Sequence, residues 1–181
     1  MRISPIAALI ALSLLSLPAG AAMPKDAITL GKFGKWEAAY FNDGGNKVCY
    51  MATAPESTTS SAPIKGRDPN VLLFITHWPA DNEKNAITIS SGYPFKEGSK
   101  VTIAISGKSF SFSTGGKGTG ADPDMAWTDD NAQEDELAEE IRRAESLTIK
   151  GTSKRGNVIT DTFSLKGSSD AYSAISKACG Y

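Results

Sequence analysis

Histidine and cysteine are almost absent from this chain, with one His and two Cys in 181 residues. That scarcity excludes several chemistries at once. A zinc site built from His and Cys has too few ligands to draw on. His77, beside Trp78-Pro79, has no neighbouring nucleophile or orienting carboxylate, so a His-activated Ser or Cys finds no support. Neither a G-x-S-x-G elbow nor a C-x-x-C pair is present. Charge of one sign is also lacking: 19 Lys and Arg face 20 Asp and Glu, whereas a nucleic-acid binder needs a basic face to collect phosphates. The one long apolar run, Ile6 to Leu17, is shorter than the ~20 residues that cross a bilayer as a helix. No metal, cofactor or nucleic-acid partner is expected.

What the N-terminus does have is the three-part form of an export signal. Arg2 is the positive start, the Ile6–Leu17 run the apolar middle, and Pro18-Ala19-Gly20-Ala21-Ala22 the breaker with small residues. Cleavage is expected near Ala22, with Ala21 the alternative, and the mature chain is expected in the periplasm or secreted beyond it. The rival reading, an uncleaved anchor, conflicts with the short run. Removing residues 1–22 leaves 159 residues with 18 basic and 20 acidic side chains, a net charge of −2. No second apolar run nears spanning length, so the mature chain is expected to be soluble and without a transmembrane segment. Residues 23–34 read as an N-terminal tail and 35–181 as a single domain.

Export changes the meaning of the two cysteines. Cys49 and Cys179 would stand where disulfides persist, so a structural bridge between them is expected, with two separate buried thiols as the alternative.

The body reads as short strands divided by turn signals. Trp36–Phe41 and Lys47–Thr53 flank the hairpin signal Asn42-Asp43-Gly44-Gly45-Asn46. Pro55–Pro69 reads as a polar loop. Val71–His77 is continuously apolar and is expected to be buried on both faces. The segments 86–90, 101–105 and 110–112 alternate apolar with polar residues, with a tight turn at Ser106-Gly107-Lys108. Late strands are expected at 147–150 and 157–165. Asp130 can cap a helix from about Asn131 to Ala144, with Gln133 as capping-box partner and Glu139–Arg143 as a favourable pair. A second helix, about Ser169–Lys177, would deliver Cys179. The pattern predicts a mainly β fold, an antiparallel β-sandwich or flattened barrel with two short helices and one disulfide.

Candidate chemistry is thin. Asp122, Asp124, Asp129 and Asp130 offer calcium-like ligands without EF-hand spacing, and a solvated loop and helix cap explain them more simply. Gly115 to Gly120 is glycine-rich but does not match a phosphate-binding loop. Paired carboxylates could serve a glycan hydrolase, though nothing singles out a pair. Trp36, Tyr40, Phe74, Phe110 and Phe112 are expected in the core. Trp78, Tyr93 and Trp127 flank turns or a helix start and are the candidates for an exposed binding rim, burial at the ends of the fold being the plainer reading.

The order of features resembles the invasion-associated locus B family of Gram-negative bacteria. Carrying it are the leader, Trp36, Cys49-Tyr50, Gly92-Tyr93, Trp127 before a helix, Gly151-Thr152-Ser153, Arg155-Gly156, Asp161 to Gly167 (DTFSLKG), and Ala171 in a closing helix that ends at Cys179. It spans about residues 32–180. The chain departs from the pattern at Ala144-Glu145-Ser146, where a helix-ending Gly is expected, and the 115–120 loop looks like an addition. The resemblance implies an exported β-rich protein, some members being linked to host-cell entry, and supplies no catalytic residues. The expected function is thus non-enzymatic binding of an envelope or host protein or surface ligand. A small envelope hydrolase acting on glycan is the alternative, and a pocket between the sheets a third.

Overall fold

The computed structural model describes residues 24–181, so the expected leader at 1–22 lies outside the described residues. In chain order the strands are β1 (Ile28–Phe33), β2 (Trp36–Asp43), β3 (Asn46–Thr53), β4 (Ser57–Ser60), β5 (Leu72–Trp78), β6 (Glu83–Ser90), β7 (Lys100–Ile105), β8 (Lys108–Thr114), β9 (Met125–Trp127), β10 (Ser146–Thr152) and β11 (Val158–Ser164). The helices are α1 (Asn131–Arg143) and α2 (Ser168–Cys179). All strands join one antiparallel sheet in the order β1-β2-β3-β5-β6-β9-β8-β7-β10-β11-β4. One core holds Trp36 from β2, near one end of that order, and Phe163 from β11, near the other. The sheet therefore curls around its own apolar face, and the expected mainly β fold with two helices takes the form of one continuous sheet.

Local chemistry explains most elements. Gly44 and Gly45 both take positive φ in the β2–β3 turn, as do Ser106 and Gly107 between β7 and β8, the backbone a tight two-residue hairpin demands. Asp130 caps α1 by accepting from the Gln133 N–H at 3.1 Å. The reciprocal half of the expected capping box does not form: Gln133 Nε2 donates instead to Thr128 Oγ1 and the Ser111 carbonyl. Helix α1 ends without a left-handed residue, Ala144 turning directly into extended backbone (φ −82°) that leads to β10.

Three strands lie where none was expected. Residues 28–33, read as tail, form the edge strand β1; its alternation is blurred by a register shift between Thr29 and Gly31. Within the polar loop, Ser57–Ser60 pairs with β11, a strand of hydroxyl side chains that no apolar pattern announces. Met125–Trp127 is only three residues long.

The curled sheet closes at a seam between the β1–β2 turn and the β11–α2 turn. Gly34 and Gly167 both have positive φ, and a Cβ on Gly167 would stand 2.1 Å from the Phe33 carbonyl oxygen. Only glycine permits that approach. Helix α1 packs on β6, and α2 packs over β1, β2, β3 and β5. At its end Cys179 is bonded to Cys49 of β3, with Cα atoms 6.0 Å apart.

Candidate functional site

The three aromatics expected on a rim go to different places. Tyr93 is 8% exposed, packed edge-on to Phe95 at 5.3 Å with the Arg67 guanidinium over its ring, so burial removes it from any rim. Trp127 is half-buried on β9, opposite Ser113 of β8. Trp78 is half-buried at the end of β5 and meets neither of them; it packs edge-on against Phe41 at 6.3 Å.

That contact opens onto an aromatic strip the linear sequence did not show. Along β5, Leu73, Ile75 and His77 point into the main core, so Phe74 and Trp78 must point out of the opposite face. By the same alternation Cys49 and Met51 of β3 face in and Tyr50 faces out, while on β2 Ala38 faces in and Phe41 out. Rings then follow one another across three adjacent strands: Trp78 to Phe41, Phe41 to Tyr50 at 6.1 Å, and Tyr50 to Phe74 at 6.2 Å. Phe41, Phe74 and Trp78 keep part of their surface in solvent, while Tyr50 is covered by its neighbours. Burial on both faces, expected for residues 71–77, is thus complete on the inner side and partial on the outer.

A second feature is a polar cleft of about 590 Å³ between β6 and the two helices, with Lys84, Asp135, Glu139, Arg142, Lys177 and Tyr181 around a floor of Asn85, Tyr172 and Ser176. His77 lies beneath it, fully buried. Its Nδ1 accepts from the Asn85 N–H at 3.2 Å, and its Nε2 is 3.2 Å from Ser176 Oγ. This pattern assigns the ring proton to Nε2, which donates to Ser176. A ring so occupied has no lone pair with which to activate that serine. Burial, reinforced by Lys84, lowers the His77 pKa to about 4, so the ring is neutral at pH 7. Tyr172 and Tyr181 pack edge-on against it at 5.4 and 5.2 Å. His77 is a buried organiser of the α2 contact.

Asn85 is the strained element of this floor. It is buried, has φ of 67°, and sits where two β6 residues, Lys84 and Asn85, oppose the single His77 of β5. Its side chain accepts from the Tyr172 hydroxyl at 2.7 Å and donates to Asp135 Oδ1 at 2.6 Å. Asn85→Ala should lower stability by about 2 kcal/mol, through left-handed strain and an orphaned tyrosine hydroxyl. Asn85→Gly should recover part of that loss, and urea denaturation of the two variants measures both.

The carboxylates of the cleft are already engaged. Asp135 accepts from Asn85, and Glu139 pairs with Arg142 and Arg143. Burial pushes two acids towards neutrality, Asp124 and Glu134, and it raises the Glu134 pKa to about 7. Glu134 is 3% exposed and accepts from the Ile87 N–H, out of reach of a substrate. Asp130 serves as the α1 cap, and among the described residues no three His, Cys, Asp or Glu side chains gather as a metal site. The glycine-rich segment folds back on itself through Thr119, whose Oγ1 donates to the Gly116 carbonyl. None of the described helices is long and apolar enough to cross a membrane.

Comparison with known proteins agrees at the level of the fold. No family model matches the sequence, and no curated protein matches it. Among solved structures, the crystal structure of invasion associated protein B from Bartonella henselae is similar, with a TM-score of 0.56 and 14% identity over 83% of this chain and 96% of that one. At that identity the likeness is one of fold.

Proposed function

We propose that this protein is an exported, non-catalytic binding module of the cell envelope, and that the aromatic strip on the outer face of β2, β3 and β5 docks another protein. The strip itself carries the reading: Trp78, Phe41 and Phe74 form a contiguous, partly exposed apolar surface where a solvated sheet face would normally be polar. Aromatic side chains of this kind supply most of the energy at protein interfaces. The Cys49–Cys179 bond supports an oxidising destination, the periplasm or beyond, reached after cleavage near Ala22. The shared fold with invasion associated protein B supports an envelope role of the same type, with host-cell contact as its proposed extension. Asp135 and Glu139 of the polar cleft, and Glu134 beside it, are each tied to another group, which favours binding over catalysis there.

A photo-crosslinking side chain placed at Phe74 should trap one partner in envelope or host-cell extracts. Trp78→Ala with Phe41→Ala should weaken that capture at least about 30-fold, roughly 2 kcal/mol, in protein that circular dichroism shows to be still folded. Robust turnover of a glycan by the purified protein, with no captured partner, would overturn the reading.

A further inference from the structure

We propose a second, separate binding site: a cationic cup that takes the phosphate of a phosphomonoester whose organic body is small and apolar. The cup measures about 250 Å³ and lies between the loop at residues 63–66, Tyr93-Pro94, and the turn joining β10 to β11. It shares no residue with the aromatic strip or with the polar cleft.

Charge is its first distinguishing property. Lys65, Lys154 and Arg155 line it, and no Asp or Glu does. Among the described residues none of these three cations enters an ion pair, although Lys32, Arg67, Lys108, Arg142 and Arg143 all do. Asp161, two residues along β11 from Ile159 of the lining, is already neutralised. Arg67 grips it with two hydrogen bonds of 2.9 and 2.6 Å, and Thr58 donates to it as well. That buried pair leaves the cup's positive charge uncompensated, and its guanidinium lies over the Tyr93 ring 5.2 Å from the centroid.

The walls give the second property. Tyr93, Ile64, Pro63 and Ile159 form an apolar lining below the cations. Burial, with Asp161 adding to it, holds the Tyr93 hydroxyl protonated well above the usual tyrosine range. It is therefore a donor and never a competing anion. Two ammonium groups and one guanidinium fork match a dianionic phosphate better than a single carboxylate, whose one charge would leave two cations unanswered. The apolar wall then selects for a ring or short chain attached to that phosphate.

Calorimetric titration of the mature, disulfide-bonded chain tests this with phenyl phosphate, inorganic phosphate and phenol as probes. Phenyl phosphate should bind saturably and at least about tenfold more tightly than inorganic phosphate, and phenol should not bind measurably. Lys154→Ala with Arg155→Ala should weaken phenyl phosphate about 100-fold without changing the melting curve, because both side chains are exposed. Lys177→Ala, in the other cleft, should leave the affinity as it is. Co-sedimentation with phosphatidylcholine vesicles containing phosphatidic acid separates the two sources of such a phosphate. Sedimentation lost in the double variant assigns the group to a lipid, and phenyl phosphate binding without sedimentation assigns it to a soluble metabolite. Phenyl phosphate that fails to bind at millimolar concentration, or that binds the double variant as tightly as the parent, overturns the proposal.

Discussion

Replacing Cys49 and Cys179 together by serine is expected to cost about 4 kcal/mol of stability. The bond joins residues 130 apart in sequence. On the chain-entropy account, closing a loop of that length restricts the unfolded chain by roughly 4–5 kcal/mol, with measured values for native bridges of about 2–5. The position of the bond adds a structural consequence. Cys179 is the last residue of α2, and α2 carries Ala171, Tyr172 and Ile175 into the core and brings Ser176 to His77. Loosening its end should therefore raise hydrogen exchange along α2 first. Urea denaturation of the double variant, beside the parent chain with and without reductant, measures the effect. The reduced parent should coincide with the variant. A loss below about 1 kcal/mol would mean that packing alone docks the helix.

The second large effect is a pair of opposing pH dependences, which Glu134→Gln should separate. Burial raises the Glu134 pKa from 4.5 to about 7, so between those values the folded chain holds a proton that the unfolded chain has released. Stability contributed by this group is greatest at low pH and falls as pH rises through that window. His77 runs the other way. Its pKa falls from 6.5 to about 4, so the unfolded chain takes up the proton first, and the stability it contributes above pH 6.5 is lost as pH falls towards 4. Between about pH 4.5 and 6.5 the two slopes cancel. In Glu134→Gln the amide oxygen can still accept from the Ile87 N–H, while the titration disappears. The variant's stability should then gain on the parent's by about 1.4 kcal/mol per pH unit, or some 2–3 kcal/mol across the cancelling window. Denaturant midpoints at several pH values give the comparison. Parallel curves for parent and variant would show that Glu134 is ionised in the folded chain.

The candidate sites were less legible than the frame around them. The Asp130 cap could be read because a cap joins residues three apart, and it holds with a 3.1 Å hydrogen bond. Gln133 was read as the capping-box partner, but its side chain reaches instead to Thr128 and to Ser111, on a strand twenty-two residues away. Trp78 is half-buried, and its neighbours are Phe41 and, through it, Tyr50 and Phe74, a residue expected in the core, not Tyr93 or Trp127. For Tyr93 the plainer of the two readings, burial, is the one found, with Arg67 and Phe95 enclosing it. The cationic cup gathers residues 65, 93 and 154–155 from three distant segments. No spacing rule connects them.

Local chemistry determined by itself the features that depend on near neighbours or on counting. Alternation marked most strands and their inward faces, turn residues marked two tight hairpins, and two cysteines admitted one intramolecular pairing. Tertiary structure alone decided which strands lie side by side. It inserted β9 between β6 and β8, set hydroxyl-rich β4 against β11, and closed the curl where Gly34 meets Gly167. The reason is physical: alternation says which side of a strand faces in, but adjacency and curvature come from packing between residues far apart in the chain. Both proposed binding surfaces are products of that adjacency.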